Sequence, residues 1–176
     1  GSYEVAQGVT PMKLLGKLTR GDVTQAEVVL LEGWTFRQMR AALDAHASVR
    51  HDTAGWTERQ ILEKLGIDGP AEGRFFPDTY LFAKGSSDLD IFKRSYRQMD
   101  RLLLAEWEGR ETSLPYKSPY EALIMASIVE KETGKSQDRT QVASVFLNRL
   151  RKGMLLQTDP TVIYGLGEKF DGNLRK

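Results

Sequence analysis

Two glutamates at the end of one apolar run carry the strongest chemical signal in this chain. The run is Ala122-Leu123-Ile124-Met125-Ala126-Ser127-Ile128-Val129-Glu130-Lys131-Glu132-Thr133. Its first part is apolar or small all round, which predicts a helix buried on most sides. Glu130 and Glu132 then fall in the last turn, where the helix dipole places partial negative charge. Burial and the dipole both disfavour an ionised carboxylate there. A carboxyl that keeps its proton is what a general acid requires. Residues that break a local rule without visible compensation are candidates for function. Two positions apart means about 200° around the helix, so the pair cannot act as one catalytic dyad. Glu132 shares its face with Met125, Ile128 and Val129; Glu130 shares its face with Leu123, Ala126 and Ser127. Spacing leaves the choice between them open. The competing reading is ordinary ion pairing with Arg139, Arg149 or Lys131, which pattern alone favours.

Three other segments hold groups suited to sugars. Asn148 and Arg149 lie in Val142–Arg151 and can orient a sugar or a carboxylate, although a plain polar helix face is the commoner meaning. Leu156-Gln157-Thr158-Asp159-Pro160 through Tyr164 gathers an amide, a hydroxyl, a carboxylate and an aromatic ring, as carbohydrate sites do; a capped turn explains it equally well. Phe75, Phe76, Tyr80 and Phe82 offer faces for stacking, but such clusters are more often core. His46 and His51 fit no ligand spacing and receive no role, so no metal site is expected. Phosphate-binding glycine loops and the nucleophile-elbow motif do not occur.

Clear elements position these groups. Tyr3 to Val5 reads as a short strand, Thr10-Pro11 opens a helix through Leu18, and Ala26 to Leu31 reads as a strand. The core of this β-α-β unit is expected at Val5, Leu14, Leu15, Leu18, Val28 and Leu30. Thr35 caps a helix bearing Phe36, Met39 and Leu43. Thr57 with Gln60 forms a capping box for a helix to Leu65. A loop and strand cover Gly73–Phe82, and a long amphipathic helix covers Asp88–Trp107. Ser118-Pro119-Tyr120-Glu121 is a strong start for the helix that ends in Glu132 and Thr133. A further helix spans Asp138–Arg151 with Val142, Val145, Phe146 and Leu150 inward. Asp159-Pro160 opens a short turn toward Tyr164.

Composition narrows the class. The 176 residues are 40% hydrophobic and 28% charged, with 25 basic against 24 acidic side chains and a net charge of +1. A globular core is possible, and disorder is excluded. Scattered, balanced charge also excludes nucleic-acid binding by bulk charge. Cysteine is absent, so there is no thiolate nucleophile and no disulfide frame. No apolar stretch approaches the roughly 20 residues of a membrane span.

Four runs together resemble one family: Gly73-Arg74-Phe75-Phe76-Pro77-Asp78-Thr79-Tyr80, Ala126–Thr133, Val142–Leu150 and Leu156–Gly165. In this order they look like the bacterial endolytic murein transglycosylases, a family earlier labelled aminodeoxychorismate lyase-like. The resemblance implies an α+β fold with a mainly helical, lysozyme-like catalytic domain, incomplete at its C-terminus. It further implies a partial LysM-like β-α-β unit at 1–33, a helical connector at 34–71 and the catalytic domain at 72–176. Its catalytic Glu lies in a Lys-Glu-Thr triplet, which here is Lys131-Glu132-Thr133 and selects Glu132 as the acid. Thr133, Asn148, Gln157, Asp159 and Tyr164 are the expected substrate-binding residues. The implied substrate is the glycan strand of peptidoglycan, with cell wall synthases as partners and no cofactor. Family members sit on the periplasmic face of the bacterial cytoplasmic membrane through one N-terminal helix, which is absent here. The chain also stops before the family's Tyr-Asn and Gly-Leu-Pro-Pro-Gly stretch. Two other readings stand beside it: a lysozyme-type hydrolase with Asp159 as second carboxylate, and a non-catalytic peptidoglycan-binding protein.

Overall fold

The computed structural model describes residues 5–20 and 25–174. In chain order it contains α1 (Pro11–Arg20), β1 (Gln25–Val29), α2 (Phe36–Asp44), α3 (Glu58–Leu65), β2 (Thr79–Ala83), α4 (Asp88–Glu108), α5 (Pro119–Glu132), α6 (Arg139–Arg151) and α7 (Asp159–Leu166). This is a mixed, mostly helical α+β chain with one two-stranded sheet among the described residues. It divides into two compact units, 1–100 and 101–176, and α4 runs across the division.

In the first unit β1 pairs antiparallel with β2, with Ala26 opposite Phe82 and Val28 opposite Tyr80. Side chains alternate across a strand, so these four share one face. Val28, Tyr80 and Phe82 are buried in a core with Leu30, Met39, Leu43, Ile61 and Ile91. Phe36, Phe75 and Phe92 form its centre, with ring centroids 5.0, 5.5 and 5.3 Å apart. The helices around it begin where their caps dictate. Thr35 and Thr57 each accept from the N–H three residues on, and the partner glutamine side chain returns to the cap N–H, at 2.9 Å for Gln38 and 2.7 Å for Gln60. At the start of α4 the buried Asp88 carboxylate accepts from Thr53 N (3.1 Å), Thr53 Oγ1 (2.7 Å) and Leu89 N (2.7 Å). Four hydrogen-bond donors, counting Ser87 Oγ at 3.4 Å, compensate the loss of water around this charge.

Several expectations change here. Among the described residues the strand partner of β1 is β2, some fifty residues later, where Tyr80 and Phe82 supply the aromatic cross-strand pairs; of the expected strand Tyr3–Val5 only Val5 is described. Residues 3 and 4 lie outside the described residues. Val5, Leu15 and Leu18 are exposed instead of buried; Val28 and Leu30 join the larger core. Elements from 25 to 92 contribute to that one core, and by packing the chain divides near residue 100. Of the aromatic segment, Phe75, Tyr80 and Phe82 are core residues and offer no stacking face.

In the second unit α5 begins with Ser118 Oγ accepting from Glu121 N at 3.3 Å and Pro119 in the first turn. It ends at Thr133, whose N–H reaches Val129 O at 3.1 Å. Met125, Ile128 and Val129 are buried against Phe146 of α6, with Tyr116, Val142, Ala143 and Leu156 half-buried around them. The expectation of a helix buried on most sides is corrected: Ile124, Ala126 and Ser127 are exposed. Neighbours within the unit cover only one face of α5. Likewise Val145 and Leu150 of α6 point outward, and Phe146 alone of the predicted inward set is fully buried. The expected turn at Asp159-Pro160 is the first turn of α7.

Candidate active site

The buried face of α5 is the face that Glu132 shares. The last residue of that helix is therefore carried toward the segment between α6 and α7. There the Thr158 hydroxyl donates a hydrogen bond to Glu132 Oε1. Thr158 is buried at 4% exposure, while the Glu132 side chain is open to solvent. The burial expected at Glu132 is thus absent: it is the last residue of α5, beyond the packed Met125, Ile128 and Val129. Among the described residues no cation pairs with Glu132. Glu130, on the other face, pairs with Arg139 Nη2 at 2.9 Å. Ion pairing thus claims one glutamate, and the other is held by a neutral hydroxyl.

The segment that delivers Thr158 has an unusual backbone. Gln157 adopts φ 52°, the one described non-glycine residue in the left-handed region. That conformation costs an L-residue roughly 1–2 kcal/mol and persists only where its surroundings enforce it. The enforcement is visible on both sides. Arg149 Nη1 donates to Leu156 O, and Met154 N binds Arg149 O at 2.8 Å. After the bend, Thr158 O accepts from Thr161 N (3.3 Å) and Thr161 Oγ1 (2.8 Å) as α7 starts.

The residues expected around the acid fall as follows. Gln157 and Asp159 flank Thr158 and are both exposed. Thr133 follows Glu132 and uses its Oγ1 to accept from Lys135 N at 3.1 Å. Tyr164 lies on α7 at 62% exposure, and Asn148 is exposed on α6. The structure therefore joins the Glu132 and 157–159 segments by a direct bond. It gives no bond from Glu132 to Asn148 or Tyr164. Thr158, whose hydroxyl counts among the sugar-suited groups of its segment in the sequence, is not among the expected site residues. It reads as an ordinary helix N-cap, yet its side chain makes no cap hydrogen bond. Arg149 serves the Leu156 carbonyl and not a glutamate.

Two other places hold groups of interest. Leu103, Trp107, Leu114, Tyr116 and Ala122, with Glu106 and Arg110, line an apolar cavity of about 90 Å³. Burial pushes the Tyr116 hydroxyl above its ordinary pKa, and the Arg110 guanidinium stacks 3.5 Å over Trp107. None of the predicted site residues lines it. Elsewhere Asp44, His51 and Asp88 bring potential ligand atoms within 4.8 Å of one another. The Asp88 oxygens already accept from Thr53, Leu89 and Ser87, so the group reads as the anchor of α4.

The chain is 31% identical over 202 residues to the endolytic murein transglycosylase of Bacillus subtilis, covering all of this chain and 54% of the relative. It is 32% identical over 197 residues to that of Streptococcus pneumoniae, covering 96% of this chain and 35% of the relative. Among solved structures, a yceG-like protein from Listeria monocytogenes superposes with a TM-score of 0.62 at 28% identity, over 98% of this chain and 62% of its own. The chain thus spans about half the length, or less, of the curated relatives it matches. The model of the YceG-like family matches residues 1–176 throughout, and the chain belongs to that family.

Proposed function

We propose that this chain carries the acid of an endolytic peptidoglycan transglycosylase, with Glu132 as its single catalytic carboxyl. The observation that carries the reading is the contrast between the two glutamates. Glu130 is bound to Arg139, whereas Glu132 has a neutral partner and open access to solvent. The names of the curated relatives support the reaction class.

In this reading Glu132 protonates the glycosidic oxygen between N-acetylmuramic acid and N-acetylglucosamine. The C1–O bond breaks, and positive charge develops on an oxocarbenium-like centre. The resulting carboxylate takes the proton from the muramic C6 hydroxyl, and that oxygen bonds to C1. A 1,6-anhydro end forms, the other fragment leaves with a free hydroxyl, and no water is consumed. One carboxyl serves as acid and then as base, unlike the two-carboxylate glycosidases. Gln157, Asp159, Tyr164, Asn148 and Thr133 are the proposed contacts to the strand. The place of action is the periplasmic face of the cytoplasmic membrane, with a LysM-like role for 1–33, a lysozyme-like role for 72–176 and cell wall synthases as partners. These rest on the family resemblance.

The test is a pair of substitutions in the full-length protein. Glu132→Gln keeps size and hydrogen bonding but supplies no acidic proton. Cleavage of purified glycan strands should fall by about 10⁴-fold or more, the upper end for general acid–base catalysis, with strand binding retained. Glu130→Gln should keep most of the rate. Activity lost only in Glu130→Gln would show that the wrong face of α5 had been assigned.

A further inference from the structure

We infer that Thr158 is a positioning residue for the Glu132 carboxyl, fixing Oε2 as the oxygen that delivers and reclaims the proton. This rests on Glu132 being the acid. Thr158 occupies the N-cap position of α7, where a threonine oxygen ordinarily accepts from a backbone N–H of the first turn. Here the side chain makes no such bond. Its hydroxyl hydrogen is committed to Glu132 Oε1, and the residue is buried.

The surrounding structure holds the hydroxyl in that direction. Arg149 fixes the Leu156 carbonyl, Gln157 turns the chain through a left-handed conformation, and Thr161 holds the Thr158 carbonyl from the other side. Leu156 and Thr158 are thereby held by bonds from α6 and α7, with the bend at Gln157 between them. A backbone strain and an unused cap are local costs, and both are explained if the hydroxyl's task lies at Glu132.

The chemical consequence concerns which oxygen is free. A hydroxyl carries one donor hydrogen. While it points at Oε1, that oxygen is an acceptor, and the acidic proton belongs on Oε2. The carboxyl plane is also restrained, so the proton leaves and returns along one direction. Proximity and orientation are worth most when the reacting geometry is held before the reaction. The same donor remains bonded to the carboxylate after the proton has gone, and bonds to charged groups are the stronger ones.

The experiment measures steady-state cleavage of glycan strands by the full-length protein and its Thr158→Val, Thr158→Ser and Glu132→Gln variants, with melting temperatures for each. Valine keeps the shape of threonine and lacks the hydroxyl; serine keeps the hydroxyl. We expect Thr158→Val to lower kcat by about 10- to 100-fold, the range of one hydrogen bond to a charged group. KM and melting temperature should stay close to the parent values, and Thr158→Ser should recover most of the rate. An unchanged kcat in Thr158→Val overturns the positioning role. Equal losses in the valine and serine variants overturn it as well, because shape and not the hydroxyl would then be at work. In either case an inactive Glu132→Gln leaves the assignment of the acid standing. A fully active Glu132→Gln removes the acid assignment itself, and the positioning role with it.

Discussion

Glu130 and Glu132 differ by two positions, and what separates them chemically is tertiary. One meets Arg139 of α6, the other the Thr158 hydroxyl. The sequence alone showed that they face opposite ways, but partners from residues 139 and 158 are fixed only by how α6 and α7 pack. Thr158 was illegible for the same reason: locally it is a helix cap, and only the fold turns its hydroxyl to Glu132. Charge at single residues gives a further prediction in the first unit. Hydrogen bonds from Arg50, with a contribution from Ser87, hold the Asp52 carboxyl at about 2 against an ordinary 3.8. A depressed folded-state value means stability that is present above pH about 4 and lost as pH falls through about 2. Asp52→Asn should therefore melt slightly below the parent at pH 6, and the gap should close as pH approaches 2. A gap of constant size across that range would show that charge is not its origin. The effect is small because the pair is exposed.

Elements were legible where their signals are local. The Thr57–Gln60 capping box and the Thr35 cap start α3 and α2 as expected, and Ser118-Pro119 starts α5. Side chain and backbone are three residues apart in each, so no tertiary information is needed. Ser118→Ala should lower stability by about 1 kcal/mol, read as a lower denaturant midpoint with an unchanged slope; no change would mean that packing alone fixes this helix start. The misread features were those decided at long range. The partner of β1 lies fifty residues away, and the apolar surface of α5 gives no hint of which face is covered. Asp159-Pro160 looks like a turn because proline punctuates loops, yet proline is equally at home in a helix's first turn, and α7 continues through Leu166.

At the scale of the whole molecule the two units are unequally filled. The first buries Leu43, Ile61, Ile91, Phe75 and Phe92 at 2% exposure or less. The second has Met125, Ile128, Val129 and Phe146 at 6–7%, with Ile124, Val145, Val162 and Tyr164 exposed. Few buried apolar contacts mean low local stability. Amide exchange in the 176-residue chain should therefore be slower at Ile61, Ile91 and Phe92 than at Met125 and Ile128. Equal protection in both units would contradict this reading of the cores. Glu132 belongs to the less filled unit, and the curated relatives are about twice the length of this chain or more, so its chemistry is properly measured in the full-length protein. The most direct test of the central claim is mass spectrometry of the fragments released from purified glycan strands by that protein in ¹⁸O-labelled water. One carboxyl acting as acid and then base predicts 1,6-anhydromuramic ends with no ¹⁸O. Reducing ends carrying ¹⁸O would show attack by water and contradict the account.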